Sequence, residues 1–110
     1  MNRLRMSPAA AALLRALLAR PGVERDRILL TECRSTDWQS LTFVGERHLF
    51  SFRIAGPEAE RLLHRFSNGL EEEEFAIRGQ IVADVAIAGT PERVQDGSIL
   101  VGIEALTIAE

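Results

Sequence analysis

Lysine is missing from this 110-residue chain, and all 13 of its basic residues are arginine. Each positive charge is therefore a planar fork suited to carboxylates and phosphates, not a flexible ammonium. Cysteine occurs once, at Cys33, so no intramolecular disulfide can form and a disulfide-stapled secreted class is excluded. A reducing compartment, the cytoplasm, is the simplest expectation. No apolar run reaches the roughly 20 residues that a membrane-crossing helix needs, which argues against an integral membrane protein. The glycines at 45, 56, 69, 79, 89, 97 and 102 stand singly, without the clustering of a phosphate cradle, so nucleotide binding finds no support. Metal ligation finds none either: His48, His64, Cys33 and scattered carboxylates include no Cys pair, no His-x-x-x-His and no calcium-loop spacing. Neither a metal nor a cofactor is expected.

What is present is ordinary globular material. Apolar residues make up 46% and charged residues 26% of the chain, which points away from disordered and fibrous classes. A chain of this length buries roughly 65% of its unfolded surface, enough for one core without staples. With no low-complexity linker, residues 1–110 are expected to form a single α+β domain. Charge is uneven, with 11 Arg against 7 acids in residues 1–65 and 2 Arg against 9 acids in residues 66–110. Such polarity can orient the chain toward a charged partner or let two copies dock, while the net charge of −3 disfavours nucleic acid.

The basic start, with Arg3, Arg5, Arg15 and Arg20 and no acid among them, superficially suits a targeting peptide, but Arg15 interrupts its apolar run. The grammar is that of a domain helix from about Pro8 to Arg20. Ser7 caps it, Pro8 takes the first position, Pro21-Gly22 ends it, and Leu13, Leu14, Leu17 and Leu18 form its inward stripe. A second helix starts at Pro57 and stops at Gly69, with Ala59, Leu62, Leu63 and Phe66 inward and His64 and Arg65 near its C-terminal dipole.

Between the helices, a strand is expected from Asp26 to Arg34, with Ser35-Thr36-Asp37 as its polar exit. Residues 41–54 read either as one long bulged strand or as a hairpin turning at Gly45-Glu46. The hairpin would pair Phe43 with His48 and Leu41 with Phe50. In either case His48, Phe50, Phe52 and Ile54 share a face at period two. Beyond the second helix, Phe75 to Ile87 reads as a strand with a bulge at Gly79. Residues 89–97 read as a loop, and Ser98 to Ile108 as a last strand apolar on both faces. The expected architecture is a two-layer α+β sandwich in which an antiparallel sheet of four to five strands carries two helices. The expected order is α-β-β-(β)-α-β-β.

The densest group of unusual polar residues is Asp37, Trp38, Ser40, Glu46, Arg47 and His48, the candidate binding surface. A carboxylate beside His48 orients it as a general base able to activate Ser40 or a water. The plainer account makes Asp37 a turn residue, lets Trp38 fill a core edge, and leaves Glu46 and Arg47 exposed; it outweighs catalysis. Cys33 reads as a small buried apolar residue and not as a nucleophile, and the acidic run Glu71 to Glu74 as solvated surface. The expectation is a small non-enzymatic interaction or regulatory module, homodimeric or bound to another protein, through its sheet face or a strand edge. The alternative is a hydrolase-like or ligand-binding enzyme with a pocket around Asp37, Glu46 and His48. A small-molecule ligand cannot be named.

Overall fold

The computed structural model describes residues 5–110; Arg3, part of the basic start, lies outside them. Helix α1 spans Pro8–Leu18. The Ser7 hydroxyl accepts from the Ala10 N–H at 3.1 Å and so satisfies one of the donors a helix start leaves free. Leu13 and Leu17 are fully buried, Leu14 and Leu18 partly so, and Arg15 is exposed. The leucine stripe is thus spent on the chain's own core and is not offered to a partner. Helix α2, Ala59–Ser67, begins two residues after Pro57 and buries Ala59, Leu62 and Phe66.

Strands β1 (Ile28–Gln39), β2 (Val44–Ile54), β3 (Ala76–Ile77), β4 (Gln80–Arg93) and β5 (Ile99–Ala109) form one sheet in the order β1-β2-β5-β4-β3. Every pairing is antiparallel. The α+β class with two helices on an antiparallel sheet is as expected, but the short extra strand follows α2 and does not precede it.

Strand β1 runs on through Ser35, Thr36 and Asp37, which pair with His48, Arg47 and Glu46 and form no polar exit or turn, and three further boundaries differ from the sequence pattern. The β1–β2 turn lies at Ser40 to Phe43, where the Ser40 N–H donates to the Phe43 carbonyl at 2.9 Å and the Ser40 hydroxyl accepts from the Phe43 N–H at 3.1 Å. Gly45 and Glu46 are inside β2, so His48 pairs with Ser35 and Phe50 with Cys33. Gly45 suits a strand for a steric reason: a Cβ there would lie 2.0 Å from the Thr107 carbonyl oxygen. The second difference is at Gly79, which marks no bulge. With φ +78° it closes the two-residue turn between β3 and β4, a place glycine takes without steric cost. The third is that β4 runs on through Pro91, with ladder shifts between Val82 and Asp84 and between Ala88 and Glu92. Pro91 falls in the unpaired stretch between Ala88 and Glu92, beyond the reach of two-residue β3, so its missing N–H removes no ladder bond.

Both helices cover the same side of the sheet, where Phe50, Phe52, Ile54, Val101 and Ile103 join Leu13, Leu17, Leu62 and Phe66 in one core. Phe52 meets Phe66 edge to face at 5.2 Å between centroids, a favoured aromatic geometry. No helix among the described residues is long and apolar enough to cross a membrane.

Candidate functional site

Residues paired across antiparallel strands project from the same face, so the register sorts the candidate residues into two sets. Asp37, Glu46 and Thr107 form one row across β1, β2 and β5, and Ser35, His48 and Ala105 the next. These rows lie on the helix-covered face. Trp38, Gly45 and Ile108, and beside them Thr36, Arg47 and Leu106, lie on the other face.

His48 is 2% exposed. Its Nδ1 is 2.7 Å from the Ser35 hydroxyl and its Nε2 2.8 Å from Thr107 Oγ1, so both ring nitrogens are occupied. Burial lowers its pKa below the usual 6.5, with Glu46 partly opposing the shift. A desolvated imidazole between two hydroxyls stays neutral at pH 7. Glu46 does not bond to it: Glu46 Oε1 accepts from the Ser7 hydroxyl at 2.8 Å, which fastens the start of α1 to β2. Cys33, half-buried on the same face, has its thiol pKa pushed up by burial, with Ser35 lowering it and Glu46 adding to the rise. Such a thiol is a poor nucleophile.

Of the six candidate residues, Asp37, Trp38 and Glu46 line an open depression of about 400 Å³ at the end of the sheet, with Gln80 and Ala109 opposite. Ser40 and His48 are not part of its wall. Ser40 is committed to its turn, and Arg47 is exposed on the far face. General-base chemistry needs the base within hydrogen-bond reach of an accessible hydroxyl or water; among the described residues the hydroxyls that His48 reaches are those of Ser35 and buried Thr107. Among the described residues no three His, Cys, Asp or Glu side chains converge in a metal-binding group.

The uncovered face is chemically the more distinctive one. Across β1, β2, β5 and β4 the register aligns Trp38, Gly45, Ile108 and Ile81 in one row. The next rows are Thr36, Arg47, Leu106 and Asp84, then Arg34, Leu49, Glu104 and Ala86. Ile81 is 48% exposed, and Leu49, Leu106 and Ile108 are only partly covered. No helix among the described residues lies over them. Comparison with protein-family models gives no match, and neither the curated proteins nor the solved structures give one.

The sequence pointed to Trp38 and Arg47 but missed Leu49, Glu104, Leu106 and Ile108 as parts of one surface. The signal was present in the apolar residues on both sides of the last strand; the strand order that sets them beside Trp38 and Arg47 was not.

Proposed function

We propose that this chain is a non-enzymatic protein-interaction module, acting in a reducing compartment such as the cytoplasm, whose recognition surface is the bare face of its sheet. One observation carries the proposal. Trp38, Leu49, Leu106, Ile108 and Ile81 stand together on a sheet face that neither described helix covers, interleaved with arginines and acids. An apolar centre that includes Trp, with charges interspersed, is the composition of protein interfaces. The residues best suited to catalysis are instead engaged in structural hydrogen bonds on the opposite side.

Face binding is favoured over strand addition at an edge. β1 carries an irregularity between Leu30 and Glu32, and β4 has two shifts and Pro91. Irregular edges of this kind discourage a further strand.

The test is site-specific photo-cross-linking in the cells the protein comes from. p-Benzoylphenylalanine replaces Leu49 on the bare face or, as control, exposed Arg61 on α2. A discrete protein adduct is expected from position 49 and not from 61, and it should vanish when Leu106→Arg is added. Equal labelling from both positions, or no adduct from 49, contradicts the proposal.

A further inference from the structure

We infer that the partner of the bare face is a second copy of this chain, packed face to face about a two-fold axis parallel to the strands and lying between β2 and β5. The inference rests on the bare face being the recognition surface and adds the identity and orientation of the occupant.

Charge complementarity selects both. The chain's basic N-terminal part supplies β1 and β2, its acidic C-terminal part supplies β4 and β5, and the order β1-β2-β5-β4 keeps the two parts side by side. The bare face therefore carries Arg34, Arg47 and Arg53 with the single acid Glu32 on one lateral half, and Glu104, Asp84 and Glu92 on the other. Among the described residues, Arg47, Glu104 and Asp84 form no ion pair within the chain, and Arg34 has only an exposed one with Glu32.

A two-fold axis along the strands sets β1 over β4 of the second copy and β2 over its β5, so each basic half meets an acidic half. Arg47 then lies opposite Leu106 of the second copy and one row, about 6.6 Å along the strands, from its Glu104, within diagonal reach of two long side chains, and Arg34 stands one row from its Asp84 in the same way. A two-fold axis across the strands would instead set β2 on β2 and β4 on β4, opposing the arginines of β2 to each other and the acids of β4 to each other, and β1, where Glu32 stands beside Arg34, would be the one strand offering both signs. Shape agrees with the first arrangement. The row Trp38, Gly45, Ile108, Ile81 meets its own reverse, which places Trp38 against Ile81 and Ile108 over the hollow at Gly45.

Area agrees as well. Strands β2 and β5 have 11 residues each. At about 3.3 Å per residue and about 4.8 Å of width for each of four strands, the face measures about 700 Å² per copy. A standard stable interface needs about 800 Å² per partner, and aligned sheets pack face to face in this manner in β-sandwiches.

Charge exchange tests the inference on the full-length chain, by sedimentation equilibrium with circular dichroism to verify folding. Wild type is expected at twice the 12.2 kDa chain mass. Arg47→Glu alone and Glu104→Arg alone should each weaken the dimer about a hundredfold, tenfold for each of two symmetric contacts. An equimolar mixture of the two folded variants should recover a dimer, because both contacts then pair opposite charges. A monomeric wild type, single variants that stay dimeric, or a mixture that stays monomeric overturns it. If the wild type is monomeric while position 49 still cross-links to a different protein, the second-copy inference falls and the interaction-module proposal stands.

Discussion

Two hydroxyls from the strands flanking β2 hold His48 in place, Ser35 from β1 and Thr107 from β5. Desolvation moves its folded pKa below 6.5, so between the two values the unfolded chain binds the proton more tightly. The stabilisation is complete above about pH 6.5 and is lost as pH falls toward the folded pKa. Thermal melts of wild type should lose Tm on acidification below about pH 6.5, and His48→Gln should remove that part of the decline; identical pH profiles would show that His48 does not contribute. A second residue-scale expectation concerns Gly45. Its absent Cβ leaves room for the Thr107 carbonyl, and because backbone on both sides must move to make space, Gly45→Ala should cost about 2–3 kcal/mol in urea denaturation. At this scale the sequence showed that His48 shares a face with Phe50 and Phe52, because strand periodicity is local. It did not show Ser35 or Thr107 as partners, since the Thr107 contact spans 59 positions and follows from strand order alone.

The helices are joined to the sheet and to each other by a few polar ties that periodicity could not have revealed. Arg20, just past α1, has a side chain only 8% exposed. Its guanidinium donates to the carbonyls of Phe66 and Asn68 at the end of α2 and reaches Glu73 at 3.2 Å. The position is favourable because the last carbonyls of a helix lack intrahelical donors and carry partial negative charge. Replacing Arg20 by Ala should cost about 2–3 kcal/mol through the lost charge-assisted bonds. Glu73→Gln should cost well under about 1 kcal/mol, because that pair is partly solvated. Comparable losses in the two variants would assign the tie to the ion pair and not to the helix end. Both helices were legible from capping residues and stripe spacing. The β1–β2 turn was not, because Gly45 has the signature of a hairpin turn whereas the actual turn, Ser40 to Phe43, holds no glycine, proline, Asn or Asp and is closed by one serine.

At the scale of the whole molecule, an uneven distribution of charge along the chain becomes a lateral gradient across one sheet face. The composition halves were visible in the sequence; the strand order that lays them side by side was not, because alternation fixes which face a residue occupies and not which strand lies next to it. Trp38 is the chain's only tryptophan and stands half-buried on the bare face, so its fluorescence reports directly on whether that face is covered. The deciding measurement is acrylamide quenching of Trp38 in the purified full-length chain across a dilution series, beside the Leu106→Arg variant. A second copy on the face predicts weak quenching and blue-shifted emission at high concentration, easier quenching on dilution, and free quenching in the variant at every concentration. Free quenching in wild type, unchanged by concentration and equal to that of the variant, would contradict it.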